Sequence, residues 1–410
     1  MSATFANYAP ALKEMVRDKI EDCTYGASPL LALMTRKTDF YGESYRIPIQ
    51  TEAVQGSGGQ FGRAQAAAAA SRSVLRAFSV THGGGYSVAR VSGQLIRRGS
   101  KQSVIKAMEF EVENAMKTAE CDLSHELYRA GYGSRGTIVY TSGTSFACTN
   151  AADVTHFKEG MRLLCSQSES GHVLVSATPA TITSVDEDSN VITTDTTLSS
   201  LGWTTGYHVF RDGDRENSAS PSRVVWTGLG GWNPVTTPSA TAFFNVDRST
   251  APNRLAGGRW SPSSYSPEEL LIDIIGRGTR RGGKFTHIVC HPDFYRVVAK
   301  VMQSRGQVPL VDVKTAKPQV GFRGINIVSP DGDVTLLSDI YCPPREVRAV
   351  NIESLQLLCA GSPVQLADPD ADNIRANDED TYEVRFAREG QFAVTRPLDT
   401  FVAYLPAAIS

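Results

Sequence analysis

The chain lacks several features that would assign it quickly to a class. No apolar run approaches the ~20 residues that span a bilayer, and the residues after Met1 contain no signal-peptide core. A soluble, intracellular protein is expected. Its seven cysteines lie scattered from Cys23 to Cys359 without a CxxC pair, so neither a disulfide framework nor a zinc ribbon can be drawn. A formal net charge of -2 leaves no chain-wide excess of cations to neutralise nucleic acid. There is no G-x-S-x-G, which removes the partner that His82-Gly83-Gly84-Gly85 would need as the oxyanion loop of an esterase. Those glycines predict a turn or kink in a strand.

Other motifs fail on context. Gly131-Tyr132-Gly133-Ser134-Arg135-Gly136 matches G-x-G-x-x-G but closes a helix and precedes a strand, the reverse of a dinucleotide site. Gly278 to Lys284 comes close to a P-loop, yet Phe285 stands where Ser or Thr must hold magnesium. A solvated Arg/Lys/Gly loop, able to touch polyanions, is the better reading. Asp368, Asp370, Asp372 and Glu379 follow calcium-loop spacing, with Asn373 where glycine makes the sharp turn. Their flanks read as strands, so an acidic solvated loop is expected rather than a metal site. His287 and His291 span a predicted strand, where four residues cover roughly 13 Å, too far to share one zinc ion. No activated nucleophile can be assembled. The expectation is a protein that is not an enzyme and needs no cofactor.

What is present is an unusual order of elements. Pro10, Leu12, Met15, Val16 and Ile20 predict a short amphipathic helix, with Lys13 and Arg17 on its other face. A second apolar cluster runs from Pro29 to Met34; each cluster could pack on its own core or on a neighbouring chain. Tyr45-Ile47-Ile49 and Val74-Arg76-Phe78-Val80 alternate like the legs of a long hairpin. Between them lie Gln55 to Arg63, rich in glycine, and Ala66 to Ala70. That tract is too short to nucleate a helix alone, because isolated helices below ~12–15 residues are marginal. A flexible tip is expected, one without a core and ordered by another chain. Its Phe61, Arg63, Arg72 and Arg76, with Leu12, Met15, Val16 and Ile20, are candidate inter-subunit contacts.

From Ser100 the pattern predicts one helix to Ala130 with Gly131 as its stop, a rod of roughly 45 Å. Residues 150–235 lose helical periodicity and read as an inserted β-barrel or sandwich, including a hairpin around Asp186 to Asn190. A Pro/Ser-rich crossing leads to a mixed α/β region: a helix at Pro267–Gly276, a strand at Phe285–Cys290, a helix at Pro292–Met302, then further strands. Tyr382–Phe386 and Phe392–Thr395, around Arg388-Glu389-Gly390, read as a closing hairpin.

Arm helix, Gly/Ala-tipped hairpin, long helix ending in Leu127-Tyr128-Arg129-Ala130-Gly131-Tyr132-Gly133, late α/β region and closing hairpin together resemble a tailed-phage major capsid protein of the Hong Kong 97 type. Phe78-Ser79-Val80 to Ser92-Gly93-Gln94-Leu95-Ile96 and Val246-Asp247-Arg248-Ser249 resemble the strings that flank its spine helix and apical domain. The resemblance implies an α+β fold divided into an N-terminal arm (1–43), an extended loop (44–92), a peripheral domain with the spine helix (93–149), an inserted β-rich domain (150–235), a linker (236–261), an axial domain (262–380) and a return to the peripheral domain (381–410). It also implies hexamers and pentamers of a virion shell, assembled in the host cytoplasm around double-stranded DNA bound without sequence specificity. A portal, a separate scaffolding protein and a decoration protein are the implied partners, and no membrane. Because net charge is negative, DNA contact would fall to local cations, for which Lys13, Arg17, Arg97, Arg98 and Lys101 are nominated. An encapsulin-like shell around protein cargo, or a β-rich surface-binding protein, are the competing readings.

Overall fold

The computed structural model describes residues 28–98, 101–170, 173–215, 224–304, 325–329, 332–366, 374–375 and 379–406. The predicted helix at Pro10–Ile20 lies outside them. The second apolar cluster forms the helix Pro29–Leu33, opened by Pro29 in its first turn. Leu30, Leu31 and Met34 are buried in the chain's own central core, so this cluster packs at home.

Two sheets and a barrel organise the rest. The first sheet is built around one 14-residue strand, Thr381–Val394. Gly83–Ser92 pairs antiparallel along its first ten residues, and Leu355–Cys359 along its last five. Thr35–Lys37 adds a parallel edge beyond Leu355–Cys359. The expected closing hairpin is therefore one continuous strand. Gly390 is the point where its partner changes, facing Gly83 on one side and Cys359 on the other. A Cβ there would lie 2.3 Å from the Leu358 carbonyl oxygen and 2.7 Å from the Trp226 ring. The glycine signals close approach, not a turn.

The second sheet runs Gly258–Trp260, Thr400–Tyr404, Glu346–Val350, His287–Cys290, Gly332–Ser338, Ile325–Ser329. Ile288, Val289 and Cys290 are fully buried, as a central strand covered on both faces requires. The helices Pro267–Thr279 and Pro292–Ser304 bury Leu270, Leu271, Ile274, Phe294 and Val298 in this sheet's core. Thr400–Tyr404 belongs here, in the α/β region, and does not return with Thr381–Val394 to the first sheet.

The long helix spans Lys101–Glu126, 26 residues, and ends one turn before the predicted Ala130. Leu127 to Arg129 form a tight turn, and Gly131 (φ +86°) and Gly133 (φ +81°) steer the chain into the barrel. The barrel begins at Ser134 and ends at Arg211, not at 150 and 235. Its six antiparallel strands close on themselves, His208–Arg211 pairing with both Ser134–Ser142 and Arg162–Ser166. Ile138, Phe146, Leu163, Ile182, Ile192, Trp203 and Val209 fill it. The predicted hairpin is present. Asp186 accepts the Asp188 and Ser189 amides at 3.1 and 3.2 Å, and Asn190 takes a positive φ of 55°. From residue 224 onward the chain rejoins the central core, where Trp226, Trp232 and Phe243 are buried.

Candidate inter-subunit surfaces

The hairpin Ser44–Glu52 with Val74–Thr81 is in place as the alternation predicts, Ser44 facing Thr81 and Glu52 facing Val74. Its base is welded to the body. Ile47, Phe78 and Val80 are buried, and the Phe78 ring meets Trp232 edge-on at 5.2 Å. The Ser79 amide donates to the Phe244 carbonyl at 2.9 Å, and Arg254 donates to the Thr51 carbonyl and the Glu52 carboxylate. His82 stacks on Phe40 at 3.8 Å. Beyond Glu52 this support stops.

The tip holds a helix, Phe61–Ala70, where an unstructured tract was expected; none of its residues is buried. The tract closes locally. The Gln55 amide donates to Ser71 Oγ at 2.8 Å, and Ser71 Oγ donates to the Ala67 carbonyl at 2.9 Å. Five consecutive alanines supply the propensity, and this clasp fixes the ends. Phe61 is 84% exposed, Leu75 69% and Val54 49%. Arg63 and Arg72 are exposed beside them, while Arg76 is half-buried near Asp247, whose carboxyl it helps to hold below its usual range after the Ser249 hydrogen bonds. An apolar tip on a long arm is an interaction surface or a liability.

A second exposed face lies on Gly83–Ser92, where Tyr86 and Val88 point to solvent. Next to them Arg90 pairs with Glu383 at 2.6 Å, and Arg385 pairs with the same carboxylate at 2.9 Å. Of the nominated DNA contacts, Arg97 binds the Asp380 carboxylate with both guanidinium nitrogens, so its charge is already matched. The side chains of Arg98 and Lys101, and all of Leu12, Lys13, Met15, Val16, Arg17 and Ile20, lie outside what the structure describes. So do Asp368, Asp370 and Asp372; Glu379 is exposed, 4.0 Å from Arg90. Among the described residues no group of three or more His, Cys, Asp or Glu could hold a metal ion, and no helix is long and apolar enough to cross a membrane. His287 bonds Thr286 and His291 pairs with Asp293 at 3.1 Å, apart from one another.

Sequence reasoning missed the ionic junction that ties the barrel to the body. Asp122 and Glu126, one turn apart on the long helix, face Arg135 and Arg211 from the first and last barrel strands and Arg388 from the strand Thr381–Val394. Asp122 lies 2.7 Å from Arg135, 2.5 Å from Arg211 and 3.7 Å from Arg388, which also reaches Glu126 at 3.2 Å. Gly85 makes room: a Cβ there would sit 2.3 Å from the Arg388 guanidinium. Burial alone would raise the Asp122 pKa, but the three guanidinium groups overturn it and hold the carboxyl well below the ordinary range. Burial wins at Glu126, pushed up to about 7 against the pull of Arg388. His125 and His156, with ring centroids 4.7 Å apart, are kept neutral by burial and then by Arg129, which pairs with Asp153 at 3.1 Å. The only sequence signal was charge inside a helix's apolar face, at Asp122 and Glu126 beside Leu123.

No family model and no curated protein matches the chain in sequence. In structure it is similar to the chain of the cyanophage A-1(L) capsid asymmetric unit, with a TM-score of 0.57 at 10% identity over 98% of this chain and 99% of that one. The chain has a phage-capsid fold. Weaker similarity extends to the capsid of Myoviridae phage XM1 (TM-score 0.44, 10% identity, 95% and 96% covered) and to the SrpI encapsulin of Synechococcus elongatus (0.45, 9%, 98% and 96%).

Proposed function

We propose that the chain is the major capsid protein of a tailed bacteriophage, a structural subunit of Hong Kong 97-type architecture that self-assembles into hexamers and pentamers of an icosahedral or prolate shell enclosing double-stranded DNA. The observation that carries this reading is the hairpin tip, which is folded, apolar and bare on a chain of capsid fold. Laid across a neighbouring subunit, Phe61, Leu75 and Val54 would each contribute about 1.5–3 kcal/mol on full burial. The contact is head-to-tail, so repeating it closes a ring when the rotation permits. Arg63, Arg72 and Arg76, with the arm residues Leu12, Met15, Val16 and Ile20, would complete the same interface. The barrel would project outward, since an inward domain would take up volume needed for DNA. A portal, a separate scaffolding protein and possible decoration proteins are the further partners of this reading.

Electron microscopy of the purified chain, alone and with its scaffolding partner, is the test. Closed shells or capsomer rings are expected; dispersed monomers under both conditions would overturn the proposal. Shells filled with protein cargo and no nucleic acid would instead favour an encapsulin-like compartment.

A further inference from the structure

The loop that imitates a P-loop in sequence sits on a concentration of unmatched positive charge. Arg277, Arg280, Arg281 and Lys284 follow one another at the end of the helix Pro267–Thr279, with Arg259 from the neighbouring edge strand and Arg396 from the turn beside it. Among the described residues two carboxylates pair with them. Asp273 reaches Arg277 at 3.4 Å and Asp399 reaches Arg396 at 3.1 Å. Arg280, Arg281 and Lys284 are exposed and form no ion pair among the described residues. The cations act on one another instead: after burial, Arg280 and Arg277 depress the Arg281 pKa, and Arg281 depresses that of Arg259. In a chain of net charge -2, such segregation invites an external anion.

The local chemistry narrows the anion. The loop amides are all spent internally: Arg281 and Gly283 on the Gly278 carbonyl, Gly282 on Thr279, and Lys284 on Asp399. No backbone nest remains to cradle a single phosphate, so binding rests on exposed side chains spread over a surface. The nearby rings each carry a cation on one face, Arg277 over Trp260 at 4.2 Å and Arg345 over Tyr404 at 4.4 Å. A shallow depression of about 590 Å³ beside Arg259 is lined by Thr236, Thr237 and Ser261 together with Trp260 and Tyr404. Exposed cationic side chains without an amide cradle suit the repeated phosphates of a nucleic-acid backbone such as a double helix rather than a free nucleotide.

We infer that Arg280, Arg281 and Lys284 form a contact surface for the phosphate backbone of duplex DNA, without base specificity, while Arg259 donates to the Pro234, Ala256 and Gly257 carbonyls and adds only its charge. The inference rests on the shell-subunit reading only for the source of the duplex. It relocates DNA contact from Arg97, whose charge Asp380 already meets, to the loop 280–284.

The test is fluorescence anisotropy of a short random-sequence duplex with the full chain across a salt series. It compares the wild type with the triple variant Arg280→Ala, Arg281→Ala, Lys284→Ala, and with a charge-matched control, Arg36→Ala, Lys158→Ala, Arg162→Ala. Each lost phosphate contact removes about 0.9 from the slope of log K against log salt. The loop variant should bind at least about tenfold more weakly at low salt, with a slope shallower by roughly 2 to 3, while the control keeps both. Equal loss in both variants would assign the effect to bulk charge and overturn the inference. So would unchanged duplex binding alongside lost binding of poly-glutamate, which would mark an acidic protein partner. Microscopy of the loop variant separates this from the shell reading: shells that form normally leave the subunit assignment standing whatever the DNA result.

Discussion

The barrel and the hairpin tip are both rich in small residues and both stand away from the central core, yet they solve opposite problems. The barrel, Ser134 to Arg211, closes its hydrogen-bond ladder and encloses Phe146 and Trp203, so no edge remains and its aromatic core is covered, with Val139 and Val173 the large apolar side chains left outside. The tip satisfies its backbone through a short helix and the Gln55–Ser71–Ala67 clasp, and leaves Phe61 and Leu75 bare. Closure makes a region self-sufficient. A region that satisfies its hydrogen bonds but not its apolar surface is half an interface.

Substitutions that weaken the barrel or its attachment should have the largest effect. Trp203→Ala should cost about 3–5 kcal/mol of stability by chemical denaturation, as for other large aromatic truncations in a core. Asp122→Asn should cost about 3–5 kcal/mol as well, because Arg135 and Arg388 would remain buried with their best counter-charge removed. A loss near zero for Asp122→Asn would mean that water reaches the junction.

The next effect is one of pH. His125 and His156 have folded pKa values below their ordinary 6.5, so the unfolded chain binds more protons. Their stabilisation is present above that value and is lost as pH falls below it. Glu126 has the opposite sign: raised to about 7 from 4.5, it stabilises below 4.5 and loses that contribution as pH rises through 7. Thermal melts between pH 7 and 5 should show a net fall in Tm from the two histidines, and His156→Gln should flatten it. A fall that survives His156→Gln and His125→Gln together would exclude this source.

The smallest effect is expected at the tip. Phe61→Ala should shift the stability of the isolated subunit by no more than about 0.5 kcal/mol, the range of exposed substitutions. The same change should impair assembly. A large loss in the isolated chain would place Phe61 in a core of its own and dissolve the contrast.

Periodicity made the hairpin, the second-sheet helices and the turn at Asp186 legible, because alternation and capping signals act locally. It misread Arg388-Glu389-Gly390 as a turn, since the reason for Gly390 is the Trp226 ring more than 160 positions earlier in the chain. The barrel limits were misplaced because Ser134–Ser142 finds its closing partner, His208–Arg211, only far later in the chain. The ionic junction was invisible for the same reason: Asp122, Arg135, Arg211 and Arg388 meet only through the fold. The basic loop was legible as charge, but not its lack of counter-charges.

Hydrogen exchange of residues 53–72, compared between free subunits and assembled shells, tests the central claim most directly. Little protection in the free chain and strong protection in the shell is the predicted result, with the barrel strands equally protected in both. Equal exchange of the tip in the two states would contradict the account, because no neighbouring chain would then be completing it.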